Sequence, residues 1–197
     1  MDAIRIIQDE HRALAAVLHG MRYLVREIRE RGAGPMFDVL GAMVYYIDAF
    51  PERVHHPRET AYLFHFLRER CADAVPLLDA LEAEHRDGAV RVRALEQALT
   101  RYQQGGAAEF APFADAVESY ADFQYEHMGR EEREVIPLAR QHLRPSDWEI
   151  IDAAFAGGSL PLAGDGTVRD YDKLFERIVR LAPPPIGVGP EAPRPAR

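Results

Sequence analysis

The chain has 197 residues, 47% hydrophobic and 28% charged, with a formal net charge of -8. This is the make-up of a globular domain with a sizeable core, and an acidic balance without a basic block argues against nucleic acid or an anionic membrane as partner. One cysteine, Cys71, excludes an internal disulfide, a cysteine-based zinc site and an iron–sulfur cluster held by this chain alone.

Helical periodicity dominates from the start. Ile4, His11, Leu18 and Val25 recur at one heptad position, and Ile7, Leu14, Met21 and Ile28 fall three residues later. That is the a/d seam of a bundle helix. The opening "MDAIRIIQDEHRAL" carries acids and no long apolar run, so no signal peptide is expected, and no later stretch is apolar enough to span a bilayer. A cytoplasmic location is the expectation. "GAGP" at Gly32–Pro35 closes the helix.

A second helix starts near Met36, turns Phe37, Leu40, Val44 and Ile47 inward, and runs to about Arg70. Pro51 and Pro57 each lack an N–H and crowd the carbonyl four residues back, which predicts a kink or break between Phe50 and Arg58. Cys71–Asp73 is the turn, with Asp73 the expected N-cap and Pro76 in the first turn of the next helix. The third helix repeats the seam with Leu78, His85, Val92 and Leu99, and with Leu81, Gly88, Leu95 and Tyr102. A fourth, from about Ala108 to Leu143, aligns Phe113, Val117, Tyr120, Gln124, His127 and Glu131, and Pro137 should kink its last turns.

The expected fold is all-α: an up-down-up-down four-helix bundle over residues 1–143. Residues 144–182 form a C-terminal helical extension. In it, "PSDWE" reads as a capping box of Ser146 with Glu149 opening a short helix to about Phe155, and Val168–Leu181 makes another helical piece. The Pro- and Gly-rich residues 183–197 are expected to be a disordered tail, or alternatively a contact segment for a protein partner.

His-x-x-x-Glu occurs at His55–Glu59 and again at His127–Glu131. Residues four apart share a helix face, so each pair can grip one ligand or merely pair with itself. His65–Glu69 has the same spacing and reads as a surface pair. His11 and His85 hold seam positions, where a lone histidine is usually satisfied by a backbone carbonyl. Jointly they say more. In an antiparallel bundle, His11, His55, His85 and His127 fall within roughly a turn or two of one level, and Glu59 and Glu131 enter the same layer. Such a buried polar layer calls for cations, and a pair of them is the economical reading. Nitrogen and oxygen donors suit iron or manganese, and zinc less specifically.

At these residues the chain resembles the hemerythrin-like family of HHE cation-binding domains. The order His, His-x-x-x-Glu, His, His-x-x-x-Glu is met by His11, His55–Glu59, His85 and His127–Glu131, over about residues 4–143. The resemblance implies two iron ions with an oxo or hydroxo bridge and two bridging carboxylates, open to O2, NO or peroxide. Departures narrow it. Oxygen carriers use a fifth histidine one turn from the third-helix one, where this chain has Leu81 and Ala89. Iron–sulfur repair members carry a further N-terminal domain with paired cysteines. What remains resembles the stand-alone bacterial type, which handles oxygen, nitric oxide, peroxide or iron.

Three other readings compete. A ferritin-like di-iron protein would use the Glu-x-x-His pairs Glu52–His55 and Glu82–His85. A sensor or metal-binding module would bind without turnover. A metal-free structural bundle would bind nothing. Among smaller features, His56 reads as solvent-facing or as support for the ligands, and His19, His65 and His142 as surface residues. Gly88 could leave room for a diatomic molecule. Tyr62 and Tyr120 could donate to Glu59 or to bound peroxide.

Overall fold

The structure is a computed structural model describing residues 2–157 and 168–191, and among these residues the regular elements are all helical. α1 (Asp2–Arg31) is the first long rod, about 45 Å at the usual rise. It ends where Gly32 takes a φ of 63° and the Ala33 N–H turns back to the Glu27 carbonyl at 3.2 Å, a left-handed cap.

The second run covers residues 37–70 without a break. It comprises α2 (Phe37–Ile47), a π-helical Asp48–His55, α3 (His56–Arg58), a π-helical Glu59–Phe64 and α4 (His65–Arg70). The break expected at Pro51 and Pro57 is therefore replaced by wider winding. Each proline withholds the N–H that the carbonyl four residues back would take, and the shift to five-residue bonding gives neighbouring donors new partners. The His56 N–H, for example, reaches the Pro51 carbonyl.

α5 (Val75–Gly105) follows a short 3-10 turn, Ala72–Ala74. Asp73 lies in that turn and does not cap α5, whose first turn is shaped by Pro76. The fourth run joins α6 (Phe110–Arg130), a π-helical Glu131–Val135 and α7 (Ile136–His142). The π winding again precedes a proline, Pro137, at the place where the kink was expected.

The core is in two parts. One cluster takes Leu14–Val25 of α1, the start of the second run, the later half of α5 and the earlier half of α6. The other takes Ile4 and Ile7, then Leu63 and Leu67, Leu78 and Leu81, and Val135 to Ala139. Successive runs thus enter each cluster from alternate ends. Between the clusters lie His11, His55, Glu59, His85, His127 and Glu131.

α8 (Pro145–Phe155) closes the second cluster with Trp148, Ile151 and Phe155. Its cap is Asp147, which accepts the Arg144 N–H at 3.0 Å and pairs with Arg70 at 2.8 Å, not the Ser146–Glu149 box expected. α9 (Val168–Leu181) lies against α2, with the Phe175 ring 6.0 Å from Tyr46. The tail departs from expectation too. Val188 N–H bonds to the Val179 carbonyl and Gly189 N–H to the Ala182 carbonyl, both at 2.8 Å, and Ile186 packs on the first cluster. Proline and glycine here build a tight turn over the end of α9, so residues 183–191 pack where none were expected to. Residues 158–167 and 192–197 lie outside the described residues.

Candidate metal centre

The six predicted ligands converge. His11 and His127 have Nε2 3.3 Å from opposite oxygens of Glu131, and His55 has Nε2 3.4 Å from Glu59. His85 Nε2 reaches both carboxylates, at 3.7 Å from Glu59 and 3.5 Å from Glu131. The donors divide into two groups, His11–His55–Glu59–Glu131 and Glu59–His85–His127–Glu131, each with its ligand atoms within 4.8 Å of one another. Both groups use both carboxylates, which is what two cations bridged by two carboxylates require.

The orientation of the rings is fixed from outside. Each imidazole turns Nε2 inward and offers Nδ1 to an acceptor: Glu10 at 2.7 Å for His55, Thr60 at 3.0 Å for His85, Glu84 at 2.9 Å for His127 and Glu132 at 3.0 Å for His11. Every one of these partners is the sequence neighbour of a ligand on another helical run. Glu10 precedes His11, Thr60 follows Glu59, Glu84 precedes His85 and Glu132 follows Glu131. The supports form a closed ring around the four runs. Outer contacts of this kind set the tautomer and aim of metal-binding histidines. Arg58 and Arg130 in turn hold Glu10 and Glu84. Arg58 is itself buried, with its guanidinium 4.8 Å from the Phe155 ring of α8 and donating to the Phe155 carbonyl at 3.3 Å.

Without a cation the electrostatics of this layer are poor. Burial opposes charge on His11, but the carboxylates of Glu131 and Glu132, 3.3 Å and 3.0 Å away, outweigh it and raise its pKa to about 9. His127 is likewise opposed by burial and raised to about 10 by Glu131 and Glu84. Burial and the charge of Glu131 push Glu59 well above the usual carboxylate range. Glu131 falls well below it despite burial, because His127, His11 and His85 surround it. Both oxygens of Glu59, both of Glu131 and Nε2 of His85 and His127 are buried with no hydrogen-bond partner. Orphaned donors and acceptors cost free energy unless something binds them. The donor set fits bound metal cations on this ground.

A profile of the hemerythrin HHE cation-binding domain matches residues 2–139. The chain belongs to that family. No curated protein and no solved structure matched. The HHE match covers all six converging residues and ends within α7, before α8.

Several smaller expectations fare differently. His65 and Glu69 form the exposed pair foreseen, 3.6 Å apart, and His19 is exposed. His56 is not solvent-facing: it is 4% exposed, and a ring nitrogen joins those of His85 and His127 within 4.8 Å. Neither tyrosine donates to Glu59. Tyr120 donates to Glu52 at 3.0 Å, and Tyr62 is partly buried against the second cluster. The space left by Gly88 is filled by Glu52, whose Oε1 would lie 2.9 Å from a Cβ there. Glu82, central to the ferritin-like reading, turns away to Arg68 at 2.7 Å, and Glu52 sits beside His56 instead of His55.

One sequence signal for the π winding existed. Ile47, Pro51, His55, Glu59, Leu63 and Leu67 are all buried, at strict four-residue steps. In an α-helix each such step turns about 40° too far, so six in register would sweep roughly half a circle. Wider winding cancels the drift.

Proposed function

We propose that this hemerythrin-family chain is a non-haem di-iron protein that binds or reacts with O2, NO or peroxide. Its frame, on this reading, is an up-down-up-down bundle of the four runs over residues 1–143, supported by the alternate ends from which they enter the two core clusters. The observation that carries the reading is the division of six donors, five of them on buried residues, into two groups sharing Glu59 and Glu131. Four imidazoles and two carboxylates favour iron or manganese over zinc. Bound iron supplies redox-active, incompletely filled coordination for a small molecule.

The protein's own contribution is positional. His11 and His55 would hold one cation and His85 and His127 the other, with Glu59 and Glu131 available to both. Glu10, Thr60, Glu84 and Glu132 fix the rings so that each Nε2 lone pair faces inward. The two apolar clusters exclude bulk water above and below the layer. A cytoplasmic place fits the single, buried, unpaired cysteine.

The test is metal analysis of protein expressed in iron-supplied medium, with ultraviolet–visible spectra of the oxidised, reduced and nitric-oxide-treated forms. About two irons per chain and a ferric absorption altered by reduction are expected. Well below one metal per chain removes the reading. Turnover of peroxide or nitric oxide by the same preparation separates reaction from binding alone.

A further inference from the structure

His56 carries chemistry that the six-residue assignment does not use. Its imidazole is buried in a layer where a neutral ring still needs a partner, yet its Nδ1 has no hydrogen bond. The ring lies parallel to His85, 4.3 Å between centroids and 10° between planes, and edge-on to His127 at 5.2 Å. Nε2 of His85 and of His127 is likewise buried with no hydrogen bond, so none of the three rings satisfies another. Their ligand atoms lie within 4.8 Å of one another.

A carboxylate stands behind His56 much as carboxylates stand behind His11, His55 and His127. Glu52 Oε2 is 3.4 Å from His56 Nδ1 and has no hydrogen bond of its own. Its other oxygen is anchored by Tyr120 at 3.0 Å and by Gln124 at 3.3 Å, and Gly88 leaves the space it occupies.

We infer that His56 is a third imidazole ligand of the cation held by His85 and His127, with Glu52 as its positioning residue. This rests on the cation-pair reading and makes the pair unequal. The His11–His55 side offers two imidazoles and the opposite side three. Small molecules would then meet the more open coordination on the His11–His55 side.

His56→Phe keeps the aromatic stack on His85 and removes the donors; His56→Gln is the second variant should the first fail to fold. Metal-free circular dichroism checks the fold, and chelator competition with iron-57 Mössbauer spectra reads each iron separately. The wild type should give two distinct iron environments. Either variant should release one iron at least about tenfold more readily and leave the other unchanged, with Glu52→Gln giving a smaller shift in the same iron. Two irons held as tightly as in wild type, with unaltered spectra, overturn the assignment of His56 alone. A wild type that takes up less than one metal overturns the cation-pair reading with it. A crystal structure of the metal-loaded wild type decides independently of folding: a His56 nitrogen at about 2.1 Å from one ion supports the inference, and a ring well beyond bonding distance ends it.

Discussion

Glu84 Oε2 lies 2.9 Å from His127 Nδ1, although Glu84 is the sequence neighbour of His85 on a different helix. Each run thus supplies a ligand and, one residue away, the acceptor that aims a ligand on the next run. Glu84→Gln should weaken cation binding by about 10–100-fold without unfolding the chain. Competition against a chelator measures this; an unchanged affinity would show that the contact is incidental.

Loss of a ligand should act more severely. His127→Ala or Glu131→Ala should abolish the ferric absorption, since Glu131 belongs to both donor groups and His127 is one of two imidazoles in its own. His65→Ala, in an exposed pair with the same four-residue spacing, should leave it intact. Equal loss in all three variants would count against the site.

Cation uptake should release protons. His11 and His127 hold theirs up to about 9 and about 10, and ligand imidazoles must be neutral. At pH 7 a pH-indicator titration should register about two protons per chain from these rings, and affinity should fall as pH drops. In the metal-free protein the same protons stabilise the fold. Both values are raised from 6.5, so the contribution is complete below that pH and fades as pH rises to 9 and 10. The melting-temperature gap between metal-free wild type and His127→Gln should therefore close above pH 10.

The C-terminal turn should fail when Gly187 gains a side chain. A Cβ on Gly187 would lie 2.2 Å from the Val179 carbonyl oxygen, a backbone atom with little freedom to move. Gly187→Ala should loosen residues 183–191 and cost about 1–3 kcal/mol. Limited proteolysis and thermal melting would register both effects, and a variant as protected as wild type would contradict the packing.

Much of the centre was legible because its ligands obey simple rules. His11 and His85 break an apolar seam, and His55–Glu59 and His127–Glu131 carry the four-residue spacing that a helix turns into one face. The ring of outer acceptors was not legible, because Glu10, Glu84 and Glu132 look like ordinary exposed acids until neighbouring helices are placed. His56 was missed for a local reason. Helical winding sets it about 100° from His55, off the face that the His55–Glu59 spacing marks, and its burial depends on the runs packed around it. The two prolines that suggested a break were the visible trace of the π winding.

The HHE match ends at residue 139, yet a line of contacts that aims His55 runs on through Glu10 and Arg58 to Phe155. Trimming the chain to the matched segment would keep all six shared donors and knock away a buttress behind one of them. Homology therefore draws the outline of this centre too tightly, and the working unit is longer than the recognisable one.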